Sequence, residues 1–201
     1  MPPILMINIA IFASGSGTNA ERLFERFAEH PRGRVAVLLT NNPRAGVIAR
    51  AERFGVPVVV FTKQELTDTD VVLHQLRDHS VDLIVLAGFL LKVPPTLIAA
   101  YPNRIVNLHP ALLPAYGGKG MYGRHVHEAV VAAGETETGI SIHYVNEHYD
   151  EGRLIRQVRC AVLPADGPED VAARVHRLEH QHYPEVVEEL VDELVSGAIS
   201  N

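Results

Sequence analysis

The chain has 201 residues, of which 47% are hydrophobic and 21% are charged, and its formal net charge is −6 at pH 7. The apolar content is high enough to offset the conformational entropy of folding, which excludes a wholly disordered chain. A negative balance is the opposite of what a non-specific nucleic-acid binder carries, so we expect no nucleic-acid partner. The single cysteine, Cys160, excludes an internal disulfide and a multi-cysteine zinc site. Such cysteine usage is typical of a reducing compartment, so we expect a cytoplasmic protein.

The opening residues, Met1–Met6, contain no basic group and no long apolar run, so we expect no signal peptide. No stretch of the sequence approaches the ~20 apolar residues of a membrane-spanning helix, and we expect no membrane association. The sequence contains no repeat, low-complexity tract or long linker. Its length is typical of one domain, which predicts a single domain over residues 1–201.

Short apolar runs in the first half of the chain are typical of strands that are buried on both faces of a sheet. They are Ile7–Ala13, Arg34–Thr40, Pro57–Phe61, Asp82–Ala87 and Arg104–Leu108. Helical patterns lie between them, in Thr18–Ala28, Ala45–Phe54, Thr69–His79 and Pro95–Ala100. Alternating strands and helices predict a parallel sheet with helices on both of its faces.

The pattern changes in the second half. A helix is predicted over Gly123–Ala133, followed by two strands, Gly139–Val145 and Arg153–Val162. The link between these strands is too short for a crossover, so they are predicted to form an antiparallel hairpin. Pro168–Leu194 predicts a long helix that Pro184 kinks or breaks. The expected fold class is therefore α/β, a Rossmann-like, doubly wound, mostly parallel sheet with a C-terminal antiparallel hairpin and a long C-terminal helix.

The segment Ser14-Gly-Ser-Gly-Thr-Asn19, which we name the glycine loop, follows the first strand and opens a helix. Glycines allow a sharp turn, and free N–H groups at a helix start attract an anion, so the loop predicts a phosphate site. The alternative is a tight turn in which Thr18 or Asn19 caps the helix. Gly15-x-Gly17-x-x-Ala20 fits the dinucleotide fingerprint loosely. However, Thr40–Pro43 carries no carboxylate for a ribose, which favours a phosphate monoester over a nicotinamide dinucleotide.

Asn107 and His109 point to the same side of a predicted strand, at its carboxyl end, where ligands bind in open α/β sheets. The Asn107 amide can donate to a carbonyl oxygen that gains negative charge, and the His109 ring can give or take a proton near neutral pH. Asp150, in the hairpin loop, can stabilise a protonated His109 and order water for proton transfer. The alternatives are a polar strand end and an ordinary turn residue. Ser141 and His143 give the preceding strand a polar face that can line the same cleft.

Other histidines fit simpler roles. His176 and His180 are four residues apart on a helix, but the sequence lacks the glutamate that a zinc-binding His-Glu-x-x-His motif requires. We therefore expect a solvated helix face and no metal site. His125 and His127 flank Val126 at a predicted helix start, where they are expected to be surface or capping residues.

Six segments occur in the order found in one enzyme family. They are Ser14-Gly-Ser-Gly-Thr-Asn19, Asp82-Leu-Ile-Val-Leu-Ala-Gly-Phe89, Asn107-Leu-His-Pro-Ala-Leu-Leu-Pro114, Gly139-Ile-Ser-Ile-His143, Asp150-Glu-Gly152 and Glu179-His-Gln-His-Tyr-Pro184. In these segments the chain resembles the phosphoribosylglycinamide formyltransferase family, folate-dependent enzymes of purine synthesis. The Asn-x-His-Pro-x-Leu-Leu-Pro block is specific to folate-dependent formyl transferases as a class. The glycine loop and the compact length narrow the resemblance to this family.

The resemblance implies transfer of a formyl group from 10-formyltetrahydrofolate, as co-substrate, to the amine of glycinamide ribonucleotide through a tetrahedral intermediate. It implies that Asn107 holds the formyl oxygen as it becomes an oxyanion and that His109 donates a proton. Asp150 would raise the pKa of His109 and relay a proton through water. No metal and no nicotinamide are implied, the substrates are small molecules, and the chain is expected to be a monomer or a homodimer.

The resemblance also implies binding residues. Those for the ribonucleotide are Gly17, Thr18, Asn19 and Glu179. Those for the folate are Leu90, Leu91, Lys92, Val93 and Asn107, with the loop Asn146–Asp150. Many members have arginine where Leu91 stands, so the polar folate contact is either lost or supplied by Lys92. Lys119, in a loop that is longer than in many members, either contacts phosphate or is a flexible loop residue. Glu65 lies where some members place a basic folate contact, so no ligand is assigned to it.

Competing functions fit the sequence less well. Methionyl-tRNA formyltransferase needs an added RNA-binding domain and formyltetrahydrofolate hydrolase an added regulatory domain, and neither is expected before Ile7 or after Leu194. A nicotinamide oxidoreductase is disfavoured by the missing carboxylate after the second strand. A non-catalytic binding domain is disfavoured by the joint presence of Asn107, His109 and Asp150.

Overall fold

A computed structural model describes residues 5–197 of the chain. Met1–Ile4, which enter the prediction about a signal peptide, lie outside the described residues, as do residues 198–201. The chain divides into two compact units. The first runs up to Ile105 and resumes at Pro184, and the second comprises Val106–Tyr183.

The first unit contains parallel strands in the order β3-β2-β1-β4. The strands are β1 (Ile7–Phe12), β2 (Gly33–Thr40), β3 (Val58–Val60) and β4 (Leu83–Leu86). The helices are α1 (Thr18–Phe27), α2 (Val47–Arg53), α3 (Lys63–Thr67), α4 (Val71–Asp78) and α5 (Pro95–Ala100). The predicted alternation of parallel strands and helices is therefore confirmed.

The apolar runs explain the core of this unit. Ile9 and Ile11 of β1 and Ile84 and Val85 of β4 are fully buried, as expected for strands that are covered on both faces. Helix α1 buries one side only, through Ala20, Leu23, Phe24 and Phe27. This spacing of three and four residues gives the helix a single apolar stripe that packs into the core.

Helix α3, which has only five residues, is not predicted by any pattern in the sequence described above. Thr62 begins it with a capping box: its hydroxyl accepts from the Glu65 N–H at 3.2 Å, and the Glu65 carboxylate accepts from the Thr62 N–H at 2.7 Å. These hydrogen bonds satisfy backbone donors that a helix start leaves unpaired. Glu65 is thus a helix-capping residue, and hydrogen bonds that its carboxylate accepts from the N–H and the hydroxyl of Thr62 lower the pKa of its carboxyl.

The second unit carries strands that pair antiparallel, in the order β5-β6-β7. They are β5 (Ile105–His109), β6 (Glu137–Tyr144) and β7 (Leu154–Ala161), with α6 (Arg124–Ala132) before β6. The β6–β7 hairpin is confirmed. Helix α7 runs from Pro168 to Ser196 with Pro184 inside it, so Pro184 does not break the helix, and the alternative of a kink stays a prediction. No helix within residues 5–197 is long and apolar enough to cross a membrane.

Candidate active site

The pairing of β5 with β6 brings polar side chains of the second unit together. Asn107 lies opposite His143, and His109 lies opposite Ser141. Directly opposed residues of an antiparallel pair have neighbouring side chains. Asp150, from the β6–β7 loop, comes to the same place. The structure therefore brings together Asn107, His109 and Asp150, which we name the polar trio.

Each carboxylate oxygen of Asp150 has its own neighbours. Oδ2 lies 3.6 Å from His109 Nδ1 and accepts from the Gly118 N–H at 3.0 Å. Oδ1 lies 3.6 Å from His143 Nε2 and accepts from Asn107 Nδ2 at 3.5 Å. Asp150 is therefore the residue that connects the two histidines with the amide.

The two ring nitrogens of His109 have different roles. Nε2 lies 2.7 Å from the Tyr116 carbonyl oxygen, which can only accept, so Nε2 carries a hydrogen. In neutral His109 the lone pair then belongs to Nδ1, which faces Asp150. The nitrogen that takes up and releases a proton is therefore Nδ1, on the carboxylate side of the ring.

His143 is fixed by the same reasoning. Its Nδ1 lies 2.9 Å from the Tyr144 carbonyl oxygen and must donate to it. In the neutral ring Nε2 then accepts, and Asn107 Nδ2 donates to it at 3.2 Å. This hydrogen bond sets the orientation of the Asn107 amide, with its nitrogen toward His143 and Asp150.

Burial controls the protonation of the site. His109 is only 3% exposed, and this burial lowers its pKa below the ordinary 6.5, against the opposing charge of Asp150. Asp150 thus raises the pKa of His109, as expected, but burial has the larger effect. For Asp150, burial acts to raise the pKa, yet contacts with His143, His109 and the Gly118 N–H lower it below the ordinary 3.8. A neutral His109 beside a charged Asp150 is the favoured state near neutral pH.

The loop that follows β5 is held by a buried hydroxyl. Ser141 Oγ donates to the Ala111 carbonyl at 2.7 Å and accepts from the Leu113 N–H at 2.9 Å. Gln157 Nε2 lies 2.9 Å from both Ser141 Oγ and the Leu113 carbonyl oxygen. Ser141 therefore supports the segment that leads to Tyr116, and does not itself belong to the polar trio.

The glycine loop lies in the first unit, between β1 and α1. Gly17 is the residue before the first turn of α1 and has a φ of 76°, in the left-handed region. A side chain there would also overlap Val47 of α2, so only glycine fits. No side chain caps the helix start, so the expected alternative of a Thr18 or Asn19 cap is wrong.

Helix α2 holds the glycine loop from one side. The Val47 N–H donates to the Gly15 carbonyl at 3.1 Å, and Arg50 Nε donates to the Ser16 carbonyl at 2.8 Å. Arg50 is itself paired with Glu21 of α1. A positive charge is thus fixed beside a helix start whose N–H groups already favour an anion.

The other predicted binding residues lie on different elements. Leu90, Leu91, Lys92 and Val93 form the segment between β4 and α5 in the first unit. Leu90 and Lys92 are exposed, Leu91 is half-buried and Val93 is buried. Thr18 and Asn19 are half-buried in the first turn of α1, and Glu179 is buried on α7 in the second unit.

The histidines of α6 and α7 differ from expectation in one case. His125 and His176 are exposed and His180 is half-buried, but His127 is only 2% exposed, so its assignment to the surface is wrong. Its ring packs edge-on against His176, with centroids 6.2 Å apart. Among residues 5–197 no group of three or more His, Cys, Asp or Glu side chains could hold a metal ion.

Sequence reasoning missed several groups around these sites. His143 was noted only as part of a polar face, and its place opposite Asn107 depends on the strand register. The Tyr116 carbonyl and Gly118 N–H belong to a loop whose path no motif predicts. Arg50 lies far along the chain from the glycine loop, and nothing in the sequence joins them.

Residues 7–187 match the model of the formyl transferase family. The chain is 41% identical over 193 residues to the chloroplastic phosphoribosylglycinamide formyltransferase of Arabidopsis thaliana, covering 93% of this chain and 66% of that protein. It therefore spans slightly less than two thirds of the length of that relative. It is 37% identical to the phosphoribosylglycinamide formyltransferase of Bacillus subtilis, covering 92% of this chain and 95% of that protein.

Solved structures are similar over both units. The phosphoribosylglycinamide formyltransferase of Anaplasma phagocytophilum superposes with a TM-score of 0.86 and 30% identity, covering 93% of this chain and 87% of that one. This likeness confirms the expected fold class over nearly the whole chain. The range matched by the family model, residues 7–187, includes every residue of the polar trio and of the glycine loop.

Proposed function

The chain belongs to the formyl transferase family, and on that premise we propose that it transfers a formyl group from 10-formyltetrahydrofolate to the amine of glycinamide ribonucleotide in purine biosynthesis. The observation that carries the proposal is the contact of Asp150 with both His109 and Asn107. This arrangement supplies an oxyanion donor and a proton carrier within one site. We further propose that residues 1–201 act as one formyl transferase domain in the cytoplasm, as a monomer or a homodimer.

Asn107 stabilises the charge that develops during the reaction. Attack of the ribonucleotide amine on the formyl carbon forms a C–N bond and turns the formyl oxygen into an oxyanion. One N–H of the Asn107 amide continues to donate to His143. The other N–H, which donates to Asp150 at 3.5 Å in the structure, donates to the oxyanion instead. Removing such a donor from other enzymes costs about 10²–10³-fold in rate, which sets the scale of the effect.

His109 carries the proton between the two nitrogen atoms. The attacking amine loses a proton, and N10 of the departing tetrahydrofolate gains one when the C–N10 bond breaks. Neutral His109 accepts the proton, and the cation donates it to N10 in the breakdown of the tetrahedral intermediate. Asp150 stabilises the cation, since its charge acts to raise the His109 pKa, and a water between them completes the relay.

The remaining residues bind the substrates. Gly17, Thr18 and Asn19 hold the ribonucleotide phosphate with the N–H groups of the α1 start, and Arg50 adds a nearby positive charge. Glu179 contacts the ribonucleotide. Leu90, Leu91, Lys92 and Val93 form the folate segment, with Asn107 touching the formyl group. The proposed chemistry uses neither a metal ion nor a nicotinamide.

A direct assay tests the proposal. The purified protein is mixed with 10-formyltetrahydrofolate and glycinamide ribonucleotide, and both the formylated ribonucleotide and tetrahydrofolate are measured. We expect the two products in equal amounts, and no folate turnover without the ribonucleotide.

His109→Ala is expected to lose about 10²–10⁴-fold in kcat. His74→Ala is the control, because His74 is an exposed histidine of α4. Formate release in place of transfer would contradict the proposal, and near-normal activity of His109→Ala would remove His109 from the mechanism.

A further inference from the structure

Ser14 begins the glycine loop, yet its side chain turns to a different segment. It is 7% exposed, so both its hydroxyl and its backbone groups need partners inside the protein. We infer that Ser14 is a positioning residue for the folate segment Leu90–Val93 and not a contact of the ribonucleotide phosphate. This inference rests on the proposed function for the identity of the two ligands, and on the contacts of the first unit for the role of Ser14.

Ser14 holds the start of the folate segment at two points. Its N–H donates to the Gly88 carbonyl at 3.0 Å, and its Oγ accepts from the Leu90 N–H at 3.1 Å. Between these points the Phe89 ring packs edge-on against Phe12, with centroids 5.2 Å apart. One residue therefore fixes the backbone on both sides of Phe89. Without the hydroxyl, the N–H of Leu90 loses the partner that sets the direction of the chain.

The hydroxyl of Ser14 is itself oriented by the loop after β2. Its hydrogen goes to Asn41 Oδ1, with an O–O distance of 2.6 Å. Since a hydroxyl has a single hydrogen, this bond leaves its lone pairs for the Leu90 N–H. Asn42 Nδ2 adds a longer contact, 3.4 Å, to the Ser14 carbonyl. Ser14 thus connects the loops that follow β1, β2 and β4. Both hydrogen bonds of its hydroxyl go to residues outside the glycine loop.

The glycine loop has supports of its own. Gly15 and Ser16 are held by Val47 and Arg50 of α2, and Gly17 packs against Val47. None of these contacts involves the Ser14 hydroxyl. Removing the hydroxyl should therefore loosen the folate segment and leave the shape of the phosphate site unchanged. A substitution in the glycine loop is then expected to weaken binding of the folate, although the folate does not bind to that loop.

The test compares two serine-to-alanine substitutions two residues apart. Ser14→Ala and Ser16→Ala are titrated calorimetrically with glycinamide ribonucleotide and, separately, with a non-reactive folate analogue. For Ser14→Ala we expect about 3–10-fold weaker folate binding, which corresponds to one net hydrogen bond, and ribonucleotide binding within about twofold of wild type. In turnover, KM for the folate should rise more than kcat falls. Ser16, whose side chain is exposed, is the matched control, and Ser16→Ala should leave folate binding unchanged.

A ligand-free measurement separates this inference from the proposed function. Amide hydrogen exchange at Leu90 should be faster in Ser14→Ala than in wild type, because its N–H has lost its acceptor. Asn41→Ala, which removes only the acceptor of the hydroxyl, should act in the same direction with a smaller effect. Failure of wild type to bind the folate analogue would contradict the proposed function, and the exchange result would still decide the role of Ser14. Unchanged exchange at Leu90, or a loss of ribonucleotide affinity as large as that of folate affinity, overturns the inference.

Discussion

Under the proposed function, the glycine loop of the first unit and the polar trio of the second unit recognise charge with different groups. The loop presents backbone N–H groups at the start of α1, and its shape depends on a left-handed Gly17. The polar trio presents side chains, and its state depends on how burial and neighbouring charges place protons on His109 and Asp150. The glycine loop should therefore tolerate changes of its side chains, but not an added Cβ at Gly17. The polar trio should be sensitive even to the replacement of one carboxylate oxygen by an amide nitrogen.

The largest effect is expected from Asp150→Asn in the polar trio. The substitution keeps the shape of the side chain but removes the charge that opposes the effect of burial on His109. The His109 pKa should therefore fall further, and kcat should drop by about 10²–10⁴-fold because the cation is less available. NMR titration of the histidine rings and steady-state kinetics measure the two effects.

Glu151→Gln is the matched control for Asp150→Asn. Glu151 is the adjacent carboxylate and is exposed, so its substitution changes the net charge equally without touching the polar trio. We expect an unchanged His109 pKa and wild-type kcat. An unchanged or raised His109 pKa in Asp150→Asn would leave Asp150 as a turn residue only.

The second effect concerns the shape of the glycine loop. Gly17→Ala adds a Cβ that overlaps Val47, in a conformation that disfavours side chains, and should cost about 1–3 kcal/mol of stability. Ribonucleotide binding should weaken by at least about tenfold, since the first N–H groups of α1 move with the strained residue. Gly15→Ala is the control, because a Cβ there meets nothing within 4 Å. Calorimetric titration with the ribonucleotide decides it, and equal affinities of the two variants would contradict a phosphate site built on Gly17.

The sequence predicted the glycine loop better than the environment of the polar trio, for a physical reason. A turn that needs glycine leaves its signature in adjacent residues, so Gly15 and Gly17 mark the loop directly. The polar trio is set by contacts between distant segments, such as the Tyr116 carbonyl on His109 Nε2. No local pattern shows that burial outweighs the charge of Asp150 at His109.

The same distinction holds for the fold. Buried strands have continuous apolar runs in the sequence, so the parallel strands of the first unit could be predicted closely. Helix α3 could not, because five residues are too few for a periodic pattern, although Thr62 and Glu65 have the spacing of a capping box. His127 was predicted to lie at the surface because it is near the start of a predicted helix. Its neighbours in the sequence do not indicate which face of α6 is buried, and His127 lies on the buried face.

The third effect concerns the proposed folate segment, where the family resemblance implies an arginine in many members and this chain has Leu91. Leu91 is half-buried and Lys92 is exposed, which supports apolar contact by Leu91. Leu91→Ala should weaken binding of a non-reactive folate analogue by about 1–2 kcal/mol, through lost apolar area. Lys92→Ala should leave that binding nearly unchanged. Calorimetric titration of both variants is the measurement. A large loss in Lys92→Ala with none in Leu91→Ala would make Lys92 the polar folate contact.

The smallest effect is a pH dependence of stability that separates buried histidines from exposed ones. His127 is 2% exposed, and its Nδ1 has no hydrogen-bond partner within residues 5–197. Burial and the charge of His176 lower its pKa below the ordinary 6.5, while Glu169 and His109 also contribute, in opposite directions. The unfolded chain, with ordinary histidines, therefore binds a proton at a higher pH than the folded chain does. The free energy of unfolding must then fall as the pH drops below about 6.5, until the pH passes the lowered pKa of the folded state.

His127→Phe removes one of the groups that cause this fall and replaces it with an apolar ring of similar shape. We expect the loss of unfolding free energy between pH 7.5 and pH 5.5 to be smaller in His127→Phe than in wild type, by a fraction of the ~1.4 kcal/mol per pH unit that one proton can contribute. Urea unfolding at the two pH values measures it, and any constant packing cost of phenylalanine cancels in the difference. His74→Phe, at an exposed site on α4, should keep the wild-type difference. If His127→Phe loses as much unfolding free energy as wild type, His127 binds its proton equally in the folded and unfolded states. The fall then comes from other groups, among them His109, whose pKa burial also lowers.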